Sequence, residues 1–178
     1  NAQKFADTIW ATAIAPVTVA NFGAAVVDTA GTISPTGAGL KALWAHVAQA
    51  ENKGLVLDAA DFSQLIPTTN ESLTLANGAY GFENGVHYAT TFTGAEAGIS
   101  GFSCSKDAIA IACAAPAIDA SVSQNFYSSE VVLLEDLGLS VYTNVYGDIS
   151  TRQVTASMEI MMGAAAAVTA NTLGIIKP

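Results

Sequence analysis

The sequence predicts an α+β chain, a mixed sheet with flanking helices followed by a long antiparallel β-hairpin. Three observations lead there. Leu40, Leu43, Trp44 and Val47 recur with the period of one helix face. Val86 to Phe92, and again Leu139 to Tyr146, alternate apolar and polar side chains as strands do. The regular strand–helix alternation of a parallel doubly wound sheet is missing, as is any internal repeat of fixed period.

The elements follow in order. Ala2 to Ile14 reads as a helix, with Phe5 and Ile9 four apart and Pro16 stopping it. Gly31 to Gly39 reads as loop. The Leu40–Val47 helix is expected to run on to a terminating Gly54, and Leu55-Val56-Leu57 is a short buried strand. Asp58 then caps a second helix with Phe62, Leu65 and Ile66 as its apolar stripe, Asp61 favouring the dipole and Pro67 ending it. Glu83-Asn84-Gly85 signals a type I′ hairpin turn ahead of the strand at Val86. Gly94 to Ser105 reads as glycine-rich loop, and Ala108 to Cys113 as a buried strand or short helix. A hairpin then pairs Leu139–Tyr146 with Gln153–Met162 across a turn at Gly147-Asp148, Gly163 breaks it, and Ala164 to Ile176 returns.

Composition excludes several classes. The 178 residues carry 6 basic and 15 acidic side chains, a net charge of −9. With 51% hydrophobic and 12% charged residues, this is not a solvating disordered tail. Lys4, Lys41, Lys53, Lys106, Arg152 and Lys177 are scattered singly, which argues against a nucleic-acid grip. Much of the hydropathy is alanine, 34 residues. The longest apolar run, Ala108 to Ile118, contains Pro116 and falls short of the ~20 residues of a membrane span. Asp7 and Thr8 interrupt any signal-peptide core.

The sequence carries no recognisable reaction centre. P-loop and dinucleotide fingerprints are absent. Gly98-Ile99-Ser100-Gly101-Phe102-Ser103 lacks nucleophile-elbow spacing and reads as a Gly/Ser loop. His46 reads as a helix histidine and His87 as a polar strand-face residue. Asp58 and Asp61 are explained as helix-start groups, and Glu135 and Asp136 as a solvated edge. Asn70-Glu71-Ser72 matches a glycosylation acceptor. Cys104 and Cys113 read as small buried hydrophobes, and with the two histidines they lack zinc-ligand spacing. No catalytic, cofactor-binding or metal-binding residue is therefore assigned, which favours a structural or interaction protein.

Several ordered segments resemble one family. Asn52-Lys53-Gly54-Leu55-Val56-Leu57-Asp58-Ala59-Ala60-Asp61-Phe62 resembles the helix, buried strand and capped helix of the HK97-fold major capsid proteins of tailed phages. Tyr80-Gly81-Phe82 through Gly85-Val86-His87-Tyr88 resembles the family's next segment. Gly101-Phe102 with Lys106-Asp107-Ala108-Ile109-Ala110 resembles the strand after that. Leu139–Tyr146, Gln153–Gly163 and the ending Leu173-Gly174-Ile175-Ile176-Lys177 resemble its C-terminal hairpin and close.

The resemblance covers residues 36–178. It implies residues 1–35 as a segment joining an arm and spine region, 36–137 as mostly axial (A) domain, and 138–178 as strands returning to the peripheral (P) domain. Since the family carries an arm, an extended loop and a spine helix before this region, the chain is expected to be the later part of a larger subunit. The implied function is a head-shell subunit of a phage or prophage, assembling with copies of itself into pentamers and hexamers. Its place would be the virion, and the host cytoplasm during assembly. Scaffold or cementing proteins are implied as further partners, and neither specific nucleic acid nor membrane. The loops around Gly94–Ser103 and Pro116–Ser129 would lie near capsomer axes.

Three other readings stand beside it. Encapsulin-type compartment shells share the fold. Low charge with many Thr and Ser also suits a secreted or surface-displayed binding module of adhesin or S-layer kind. A small hydrolase would need a pocket gathering Asp58, His46 or His87 with a Ser or Cys.

Overall fold

The computed structural model describes residues 2–23, 26–27, 33–34, 37–66, 79–114, 126–134, 139–148 and 152–177. The chain divides into two compact units. One holds residues 1–110 and 164–178, and the other, inserted into it, holds 111–163. The architecture is mixed α+β, as the sequence predicts.

The first unit is built on a five-stranded sheet. In chain order its strands are β1 (Val26–Val27), β2 (Gly54–Leu57), β3 (Val86–Tyr88), β4 (Gly101–Cys104) and β10 (Leu173–Lys177). In space they lie β1-β10-β4-β2-β3. β10, β4 and β2 pair antiparallel, while β1 joins β10 and β3 joins β2 in parallel.

Alternation along these strands divides the apolar side chains between two faces. Leu55, Leu57 and Ile176 pack with Ile33, Leu40, Leu43, Val47, Leu65 and Phe82 on one face. Phe102, Leu173 and Ile175 pack with Ile14, Val17, Phe22, Ile99 and Ala108 on the other. The helices α3 (Ala38–His46) and α4 (Ala59–Gln64) supply the first layer, and α1 (Ala2–Ile14) and α2 (Val19–Phe22) the second. A strand covered on both faces can be apolar throughout, and β10 is buried from Leu173 to Ile176.

Local chemistry explains the helix ends. The Asp58 carboxylate accepts from the Asp61 N–H at 2.8 Å, the expected cap of α4. Thr18 caps α2 in the same way through Asn21 N–H. In α1, Gln3 donates to Asp7 one turn on.

The structure corrects several expectations. α3 ends at His46 with Val47 as its C-cap, and Gly54 opens β2 instead of closing that helix. Trp44 and Ile66 lie exposed rather than on the buried stripes, and the Trp44 indole N–H reaches out to the Gly81 carbonyl at 3.1 Å. Glu83-Asn84-Gly85 is a turn with Gly85 at φ +82°, but it follows a 3-10 turn at Ala79–Gly81 and makes no hairpin. β3 instead runs parallel to β2, so a local turn signal yielded to a long-range pairing. The strand there stops at Tyr88, short of Phe92.

The largest correction is β4. Gly101–Cys104, read as loop from its composition although the family resemblance put a strand at Gly101-Phe102, is the middle strand of the sheet and almost wholly buried. Glycine suits the position because a Cβ on Gly101 would come within 2.8 Å of both the Ile176 side chain and the Val56 carbonyl. Pro67, Asn70, Glu135, Asp136 and the loop 116–125 lie outside the described residues.

The inserted unit carries a three-stranded antiparallel sheet ordered β6-β7-β8, from β6 (Phe126–Leu134), β7 (Leu139–Asp148) and β8 (Gln153–Glu159). The predicted hairpin of β7 and β8 is present, with Gly147 and Asp148 inside β7 rather than in the turn. β6 was unexpected at its first residues, which read as loop. β5 (Ile109–Ala114) and β9 (Met161–Ala166) form a two-stranded ribbon, and the unit boundaries fall within these strands. β5 is a strand but largely exposed, against the expected burial, and Gly163 lies within β9 rather than breaking it.

Candidate functional site

Among the described residues, the candidate chemical groups do not gather. His46 packs over Gly174 at the end of α3, its Nε2 buried without a hydrogen-bond partner. Asp58 spends a carboxylate oxygen on its helix cap. Ser103 Oγ donates to the Leu43 carbonyl at 3.3 Å, and Ser100 Oγ is buried with no partner, so no base activates either hydroxyl. Cys104 is a free thiol. Burial pushes the Cys104 thiol up to about 11, which keeps it protonated and a poor nucleophile. Among the described residues no three His, Cys, Asp or Glu side chains are placed to hold a metal ion, and no described helix is long and apolar enough to cross a membrane.

Two surfaces stand out instead. The first is the sheet of the inserted unit. Its middle strand β7 buries Leu139, Val141, Tyr142 and Asn144. Its outer strands are open on both faces. On one face Val131 lies beside Tyr142 and Glu159, and Ser129 beside Asn144 and Ser157. On the other, Val132 lies beside Val141, and Met158 beside Thr143 and Glu130. Val131 and Leu133 are each 56% exposed and Val154 is 72% exposed. Tyr127, at the irregular start of β6, lays its exposed ring against Gly147.

A long apolar edge strand without Lys or Pro is a template for pairing with another chain. β6 has neither, and Glu130 is its one charge. Asn144 adds a second anomaly: it is 1% exposed, yet both of its amide atoms lack a hydrogen-bond partner.

The second surface is a groove of about 480 Å³ in the first unit, between α1 and the β3 edge. Ala6, Asp7 and Trp10 form one wall, Val56 the floor, and His87 to Thr90 the other wall. Trp10 is held by its indole N–H to the Thr91 carbonyl at 2.7 Å and by stacking on Phe102. Of these residues only His87 stands out in the sequence as a chemical candidate. Asp7 and Trp10 share a helix face, but some eighty positions separate them from β3 and no motif links them.

Two clasps hold the first unit's turns. Glu83 bonds the buried Lys53 at 3.2 Å and the Asn52 N–H at 2.6 Å. Glu96 bonds Lys177 at 2.6 Å and the Val19 N–H at 2.6 Å, tying the start of α2 to the end of β10. Hydrogen bonds from Lys53 and Asn52 hold the Glu83 carboxyl below the usual carboxylate range, and those from Lys177 and Val19 do the same for Glu96.

No family model, no curated protein and no solved structure matches this chain.

Proposed function

We propose that the chain is a non-enzymatic structural subunit that assembles with copies of itself, with a head-shell subunit of HK97 type as the specific reading. The observation that carries the proposal is the open apolar sheet of the inserted unit. Its outer strands leave Val131, Leu133, Val154 and Met158 to solvent, and burying large apolar side chains stabilises by about 1.5–3 kcal/mol each. A neighbouring copy laid on that surface would supply the burial that the unit does not make for itself. The motif order Asn52–Phe62, Tyr80–Tyr88 and Leu139–Lys177 supports the specific form, with residues of 36–178 serving axial and peripheral roles in a virion shell. Scaffold or cementing proteins would be additional partners, and an encapsulin-type compartment shell would use the same association.

Sedimentation velocity and negative-stain microscopy of the full chain test it. Concentration-dependent association of the chain with itself is expected, and Leu133→Lys should abolish it while leaving the monomer folded. A chain that stays monomeric at every concentration and salt condition, wild type and variant alike, overturns the reading.

A further inference from the structure

The groove between α1 and β3 is not used by the proposed self-assembly. We propose that it binds an extended, lysine- or arginine-bearing peptide from a different protein, which adds as a strand to the β3 edge.

The backbone provides the first half of the site. Leu55 N–H bonds the Gly85 carbonyl and Ala89 N–H bonds the Leu57 carbonyl, so residues 85, 87 and 89 turn their peptide groups toward β2. Val86 and Tyr88 therefore turn theirs outward, and no described residue bonds them. β3 is the end strand of its sheet. An added strand would satisfy these groups, as in other strand-addition complexes.

The side chains provide the second half. An added strand presents alternate residues to opposite faces. On the groove face it meets Asp7, Trp10 and His87. Asp7 uses only Oδ1, to accept from Gln3, so its second oxygen is open. His87 Nε2 lies 2.7 Å from the Asn84 carbonyl, which can only accept, so Nε2 donates there and in the neutral tautomer Nδ1 is left as an acceptor. Acceptors beside a tryptophan face suit an ammonium or guanidinium group. On the opposite face the strand meets Tyr88, half-exposed and packed at 6.0 Å on Phe62, which suits an apolar residue. The fitting sequence thus alternates basic and apolar positions.

A second copy of this chain does not supply such a strand. Lys53 is buried against Glu83, Lys106 pairs with Glu51, and Lys177 pairs with Glu96. Lys4 and Lys41 are helical and Arg152 sits in a turn. The remaining negative charge of the chain favours a basic partner at any approach.

The test is fluorescence anisotropy with three labelled probes on the full chain: acetyl-Val-Lys-Val-Lys-Val-amide, the same peptide with Glu for Lys, and N-acetyl-lysine amide. The lysine pentapeptide should bind, with backbone amide shifts at residues 86–90. Asp7→Lys, at a partly exposed helix position, should weaken it roughly ten-fold. Tyr88→Pro should weaken it further by removing an outward N–H that the ladder does not use. Three results overturn the proposal: equal binding of the glutamate peptide, equal binding of N-acetyl-lysine amide, or shifts confined to other residues. Because the first unit carries this groove and the inserted unit the proposed self-association surface, loss of peptide binding leaves the sedimentation result unchanged, and the reverse.

Discussion

The five-stranded and the three-stranded sheets of this chain differ in what covers them. In the first unit β10, β4 and β2 are sealed by helices on both faces, and Leu55, Leu57, Leu173 and Ile176 are each fully buried. In the inserted unit only the middle strand is buried, while Val131, Leu133 and Val154 remain open. Burial by the chain's own helices makes the first sheet self-sufficient. The second has strand pairing and alternation but little apolar cover, and the proposed association would supply what packing does not.

The contrast breaks most sharply under truncation. Leu55→Ala removes a side chain from a closed core and should cost about 2–5 kcal/mol. Leu133→Ala, in an open strand, should change monomer stability by less than about 0.5 kcal/mol. Both tryptophans, Trp10 and Trp44, lie in the first unit, so their fluorescence follows the first variant, and hydrogen exchange in β6 follows the second. Equal costs for the two truncations would remove the distinction.

A smaller effect sharpens it from the other side. Asn144 buries an amide with neither atom bonded, a group that costs about 1–3 kcal/mol when left so. Asn144→Leu keeps the approximate shape and should raise the stability of β7 by about 1 kcal/mol in the monomer, read as slower exchange of its amides. Destabilisation would mean that the amide is paired.

The smallest expected effect is in pH. Glu83 and Glu96 both titrate below their ordinary value in the folded first unit. Their stabilisation is complete above the unfolded carboxylate pKa, about 4.3, and is lost as pH falls through the lower folded values. Acid should therefore lower the tryptophan-monitored melting temperature, and Glu96→Gln should remove part of that slope. An unchanged slope in the variant would sink the clasp.

Much of the fold was legible because its causes are local. The helix at Ala2–Ile14, the buried face of Leu40, Leu43 and Val47, the Asp58 cap and the β7–β8 pairing all follow from spacing or from one side chain. Only the family resemblance pointed to a strand at Gly101-Phe102, and β4 was not legible in composition or periodicity, since its Gly and Ser residues are those of a loop. They serve a strand only because Ile176 and Val56 crowd Gly101 from either side. The parallel turn of β3 was hidden for a similar reason: period two shows that a strand exists but not which strand it joins. The groove was hidden because Asp7 and Trp10 meet His87 only once the sheet has formed.

The most direct measurement is hydrogen exchange across a dilution series of the full chain. If copies of the chain cover the inserted sheet, amides of β6 and β8 should gain protection as concentration rises, while those of β2 and β4 stay constant. Equal protection of β6 at every concentration would contradict the account.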